Sequence, residues 1–131
     1  MIKITDSERQ VLGLLWESEE ALTATEIIKL CEGRTWKPSY IHILIKSLLK
    51  KEMIQIVGFK KTSKNYARTF APAVTRDEWL AQIIKQEKGD DCKMLKGLLC
   101  ILLEEAFNLE ETEELLEKVR KRKEELKSQA S

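Results

Sequence analysis

Side chains able to hold a metal or attack a carbon centre are scarce in this chain. Its cysteines are Cys31, Cys92 and Cys100, too widely spaced for a Cys-x-x-Cys site, and His42 is its one histidine. Tetrahedral zinc sites and histidine-based triads therefore lack their parts. The five glycines, Gly13, Gly33, Gly58, Gly89 and Gly97, stand far apart, so there is no phosphate-cradling glycine loop. The cysteines read as small buried hydrophobes of a reducing cytoplasm. Cys31, near Arg34, is the one candidate for a thiol activated by a cation. From these residues we expect no enzyme, no metal and no cofactor. What the chain is rich in is positive charge. Between positions 34 and 68, Arg34, Lys37, Lys46, Lys50, Lys51, Lys60, Lys61, Lys64 and Arg68 face only Glu52, a net +8 in 35 residues. Such density suits a phosphate backbone, whereas a plain solvated surface intersperses both signs.

Several elements must position these cations. Thr5 with Glu8, Thr23 with Glu26 and Thr75 with Glu78 have the spacing of capping boxes, so each opens a helix. Val11, Leu12, Leu15 and Trp16 give the first helix, about 5–18, its apolar stripe. The second ends near Cys31 with Gly33 as terminator, and the third, about 38–51, carries Pro38 in its first turn. Three helices in some 50 residues make a helix-turn-helix layout. Ile54 to Phe59 and Asn65 to Phe70 are β-branched and aromatic and flank a basic stretch, Lys60 to Lys64, so they predict a hairpin with a charged tip that Pro72 closes. Helices follow over about 75–88, stopping at Gly89, then about 91–107 and 109–127. The expected domains are 1–74 and 75–131.

The boundary resolves the charge. The whole chain of 131 residues has 23 Lys plus Arg against 22 Asp plus Glu, net +1. Residues 1–75 hold 12 against 8, net +4, and residues 76–131 hold 11 against 14, net −3. The longest apolar run, Leu98 to Leu103, is far shorter than the roughly 20 residues of a membrane helix. The opening Met1 to Asp6 turns acidic at once, which is unlike a secretory leader. We therefore expect a cytoplasmic protein with no membrane partner.

Projected at about 100° per residue, the third helix puts Ile41, Leu44, Ile45 and Leu48 on one face. Ser39, Ile43, Lys46 and Lys50 share the opposite face, flanked by Tyr40, His42 and Ser47. Small polar, basic and hydrogen-bonding side chains on an exposed helix fit a major groove. Ile43 would meet a thymine methyl or stand as a tolerated exposed apolar residue; His42 would touch DNA or be a plain surface histidine. Lys37 lies at the entry of this helix, and Lys60, Lys61 and Lys64 on the hairpin (about 59–66) would hold phosphates. In the C-terminal half, Met94, Leu95, Leu98, Leu99, Ile101, Leu102 and Phe107 surround most of one helix, and Leu115, Leu116 and Val119 stripe the next. So apolar a pair needs more cover than itself. A second copy of the chain would supply it, and packing on the first domain is the alternative.

These residues, in order, resemble the penicillinase, methicillin-resistance and copper-responsive repressor family (BlaI/MecI/CopY). The similar stretches are Ile4-Thr5-Asp6-Ser7-Glu8 through Leu15-Trp16-Glu17, then Thr23-Ala24-Thr25-Glu26-Ile27-Ile28, then Trp36-Lys37-Pro38-Ser39-Tyr40-Ile41 to Lys50-Lys51, and Tyr66 with Phe70-Ala71-Pro72. The resemblance covers about residues 4–120. It implies a mainly α fold with a small β-hairpin wing: a winged helix-turn-helix domain followed by a helical dimerisation domain. It also implies a homodimeric repressor on a double-stranded DNA operator of dyad symmetry. Tyr40 and Ile43 stand where the family usually has threonines, His42 and Ser47 where arginines are common, and Glu52 where a glycine is usual. The positions of the Asn-Phe bond cut in the antibiotic-responsive branch are Ile101 and Leu102 here, and the cysteine tail of the copper branch is absent. The inducer is thus left unassigned. A reading from another class is a winged helix that binds protein, with the helical tail as partner surface.

Overall fold

Thr5 opens the first helix as its spacing with Glu8 predicts. The Glu8 N–H donates to Thr5 Oγ1 at 3.2 Å, and the Thr5 N–H donates to Glu8 Oε1 at 3.0 Å. Helix α1 (Asp6–Glu17) follows, burying Val11, Leu12 and Leu15. Thr23 and Glu26 repeat the device for α2 (Ala24–Leu30), which ends at a C-cap on Cys31, two residues before Gly33 takes φ 71. This is a computed structural model; it describes residues 3–88 and 92–130. The expected helix stop at Gly89 and start at Asp91, and the leader positions Met1 and Ile2, lie outside the described residues.

The third helix is entered through a 3-10 turn, Pro38–Tyr40, because Lys37, preceding a proline, is held extended. Helix α3 (Ile41–Lys50) then buries Ile41, Leu44, Ile45 and Leu48. Its exit is a Schellman turn: the Met53 N–H donates to Leu48 O and the Glu52 N–H to Leu49 O, both at 3.0 Å. Met53 and Leu48 are both buried beneath that turn. The geometry forces Glu52 to φ 60, a left-handed conformation that glycine tolerates and a Cβ disfavours.

Strands β1 (Ile54–Lys61) and β2 (Tyr66–Pro72) form an antiparallel hairpin, with a bulge at Val57 between the Ile56–Phe70 and Gly58–Thr69 pairs. Strand β1 runs two residues further toward the tip than expected and β2 starts one residue later, so the connection is residues 62–65. There Thr62 Oγ1 donates to Asn65 O and accepts from the Asn65 N–H. A bridge from Leu22 to Phe70 ties the hairpin to the chain before α2. One core, including Leu12, Leu15, Ile27, Ile41, Leu48, Met53, Ile54 and Phe70, joins α1, α2, α3 and the hairpin. Each such side chain contributes on the order of 1.5–3 kcal/mol by leaving water.

Helix α4 (Arg76–Lys88) begins at the expected Thr75–Glu78 cap. Its first turns dock on α1. Trp79 is buried against Trp16, with ring centroids 5.5 Å apart, and the Trp16 indole N–H donates to Val74 O at 2.9 Å. Arg9 lies 5.1 Å from the Trp79 ring and Arg76 5.3 Å from that of Trp16. The compact units accordingly divide as Met1–Gln86 and Glu87–Ser131, beyond the composition change near residue 74. In the second unit, α5 (Cys92–Ala106) and α6 (Leu109–Ala130) are joined at Asn108, whose side chain accepts from the Glu111 N–H at 2.8 Å and caps α6. Neither helix has a buried residue among those described.

The strained turn makes a simple prediction. Glu52→Gly relieves a left-handed penalty of about 1–2 kcal/mol, partly offset by about 0.4–1 kcal/mol of extra freedom in the unfolded chain. We expect a net gain of about 0.5–1 kcal/mol, seen as a melting temperature a few degrees higher. An unchanged or lower melting temperature refutes the strain.

Candidate nucleic-acid interface

With Ile41, Leu44, Ile45 and Leu48 turned into the core, α3 and its entry turn present Ser39, Tyr40, Ile43, Lys46 and Lys50 to solvent. Ile43 is 55% exposed and Tyr40 45%, so the outward face carries apolar as well as cationic groups. His42 and Lys46 lie on the side of α3 nearest β2, where they line a groove with Arg68. Lys61 and Lys64 stand exposed at the hairpin end, and Lys37 at the entry to the turn.

Ser47 leaves this face, correcting its expected place beside Tyr40 and His42. It is half-buried, and its hydroxyl donates to Glu8 Oε2 at 2.7 Å. The other oxygen of Glu8 accepts from Lys51 Nζ at 2.7 Å as well as from the Thr5 N–H. One buried carboxylate thus caps α1 and grips the last turn of α3 at two points. Its side chain is only 2% exposed, while Lys51 keeps partial access to water. Burial pushes the Glu8 carboxyl up, but the Lys51 ammonium, the Thr5 N–H and the Ser47 hydroxyl outweigh it and bring it down to about 2 from 4.5.

The cations divide by what they are committed to. Lys51 belongs to Glu8. Lys60, expected to hold phosphate, pairs with Glu26 Oε2 at 2.8 Å across to α2, an exchange that lowers the carboxyl and raises the ammonium. Arg34 donates to Ile28 O at 2.9 Å and lies over Trp36. Among the described residues Lys37, Lys46, Lys50, Lys61, Lys64 and Arg68 have no acidic partner. Six of the nine cations of the basic window therefore remain available. Arg68 is the one of the six that was not among the expected DNA contacts; its pairing with Phe59 in the hairpin places it beside α3. The wing also exposes Phe59 at 68% and Tyr66 at 71%, aromatic faces interleaved with Lys60, Lys61 and Arg68.

Other chemistry is poorly provided for. Burial raises the Cys31 thiol above its ordinary value, and Arg34 only partly opposes this, so no activated thiolate forms. Among the described residues no group of three or more His, Cys, Asp or Glu is placed to hold a metal ion. No described helix is long and apolar enough to cross a membrane. In the C-terminal unit Leu99, Ile101, Leu102, Phe107, Leu115, Leu116 and Val119 are all exposed, while Met94, Leu95 and Leu98 are half-buried.

A family model described as penicillinase repressor matches residues 4–121. No curated protein matches the sequence. Among solved structures, the adhesin competence repressor AdcR from Streptococcus pyogenes is similar at 25% identity with a TM-score of 0.40, covering 95% of this chain and 82% of that one. MepR, a transcription regulator of the Staphylococcus aureus multidrug efflux pump MepA, is similar at 18% identity with a TM-score of 0.43, covering 95% and 81%.

The Glu8 cluster predicts how acid acts. The folded carboxyl holds its proton only below about pH 2, the unfolded one already near 4.5, so stability present above about pH 5 is lost as pH falls toward 2. The difference corresponds to at most roughly 3 kcal/mol. Glu8→Gln should lower the stability of the N-terminal unit at neutral pH and flatten its decline between about pH 5 and 2 in urea titrations. Parallel pH curves for the two proteins would remove Glu8 from that role.

Proposed function

This chain belongs to the penicillinase repressor family, and from that premise we propose that it works as a homodimer on a two-fold symmetric operator. It is a transcriptional repressor of the winged-helix type, a DNA-binding regulator rather than an enzyme. The observation that carries the finer reading is the exposed face of α3, whose Lys46 and Lys50 have no acidic partner among the described residues. Ser39, Tyr40, His42, Ile43, Lys46 and Lys50 enter the major groove in this reading. Lys37, Lys61, Lys64 and Arg68 hold flanking phosphates, which fix register without reading sequence. Lys60 joins them only by sharing or leaving Glu26. Ser47 is left out, because Glu8 occupies its hydroxyl.

The domains in this reading are a DNA-binding head ending near the hairpin and a helical dimerisation tail, with α4 running between them. The exposed apolar side chains of α5 and α6 support the second copy: surface of that extent on helices without a buried residue is costly in water. Two-fold pairing presents two α3 helices to half-sites about 34 Å apart along one side of the duplex. Bound there, the protein blocks transcription, and a release signal frees the operator.

Two variants test these parts separately. Lys46→Ala with Lys50→Ala should weaken operator binding more than about tenfold in a gel-shift titration while leaving the melting temperature unchanged. Unaltered affinity sinks the α3 assignment. Leu102→Lys with Leu116→Lys should give a monomer by light scattering; a persisting dimer would place the interface elsewhere.

A further inference from the structure

Between α3, the start of α2 and strand β2 lies a groove of about 590 Å³, large enough for a ligand of some 15–30 heavy atoms. Its floor is apolar: Ile45 and Phe70 are 5% exposed overall, and Leu49 and Ala67 complete it. Its rim is cationic, with Lys46 on α3 and Arg68 on β2, neither with an acidic partner among the described residues. We infer that this groove binds a small organic anion, a carboxylate or sulfonate carried on an aromatic or branched apolar body, and that its occupancy releases DNA.

Floor and rim together complement one kind of ligand. A DNA backbone is a hydrated ribbon of phosphates and gains nothing from an apolar floor beneath them. An amphipathic anion uses both parts, burying its hydrocarbon on Ile45, Leu49 and Phe70 while the Arg68 guanidinium forks onto its two oxygens. Lys46 and Arg68 then each serve two ligands. The proposal rests at this point on the reading of α3 as the DNA-contacting helix. A bound anion neutralises a cation that DNA needs and places negative charge beside the phosphates, so each ligand lowers the affinity of the other by the same factor.

The test uses the full-length protein with 1-anilinonaphthalene-8-sulfonate as the anionic probe and N-phenyl-1-naphthylamine as its uncharged counterpart, both followed through Ile and Leu methyl resonances. We expect saturable shifts at Ile45 and Leu49 with the sulfonate. Affinity should fall at least fivefold for the uncharged compound and for Arg68→Gln, a change at an exposed side chain. Ala67→Leu, which fills the floor, should abolish the shifts; should that variant lose its melting transition, Arg68→Gln alone decides. Shifts confined to α5 and α6, equal affinity for both compounds, or equal displacement by inorganic phosphate each overturn the proposal, the last by making the groove a plain phosphate cradle. Duplex operator should in turn displace the probe. Groove shifts that survive saturating operator binding overturn the release mechanism, whereas absence of any operator binding overturns the reading of α3 and leaves the anion site standing.

Discussion

The buried carboxylate of Glu8 fixes where α3 ends. It accepts from Thr5 on its own helix and from Ser47 and Lys51 on α3, so the start of one helix and the last turn of another share one group. Leaving a carboxylate in a nearly water-free site is costly unless each oxygen is satisfied, and here both are. The same satisfaction makes the arrangement specific. Sliding α3 along its axis or turning it about that axis breaks two hydrogen bonds to a buried charge, whereas packing of Leu44 and Leu48 against the core tolerates small slips. The Schellman turn at Glu52 and Met53 lies immediately beyond and hands the chain to β1 in one fixed direction. Helix, turn and wing are thereby placed as a set.

The rest of the molecule differs in how well it satisfies itself. The N-terminal unit buries Val11, Leu12, Ile27 and Leu48 completely, and it holds α4 through the tilted contact of Trp16 with Trp79, flanked by Arg9 and Arg76. The C-terminal unit leaves Leu99, Leu102, Leu109, Leu115 and Leu116 exposed. The head satisfies its own apolar surface, and the tail does not, which is the asymmetry the proposed pairing through α5 and α6 rests on. The charge follows the same division, basic over α3 and the hairpin and acidic through the first half of α6.

Much of this was legible in the residues because local rules governed it. Capping boxes at Thr5, Thr23 and Thr75 set three helix starts from spacing alone, and 3.6-residue periodicity separated the buried and exposed faces of α3. What escaped was tertiary pairing. Ser47 lies on the helix surface by angle, yet a glutamate 39 positions earlier claims it. Lys60 and Lys51 count as free cations in any window, but each meets the glutamate of a capping box, whose second partner the capping pattern does not reveal. Arg68 gained its place only through strand register, and the contact of Trp79 with Trp16 is another tertiary pairing that spacing does not reveal. The glutamate at position 52 was visible as a departure from the resembled pattern; its left-handed backbone was not.

The central claim is that the cations of α3 and the wing left without acidic partners meet phosphate. The most direct check is the salt dependence of binding to a duplex selected from random sequence. If roughly half of the twelve such cations in a dimer displace counterions, the logarithm of affinity should fall against the logarithm of salt with a slope of about −5. A slope shallower than about −1 would contradict the account, since binding would then owe nothing to the basic face on which it rests.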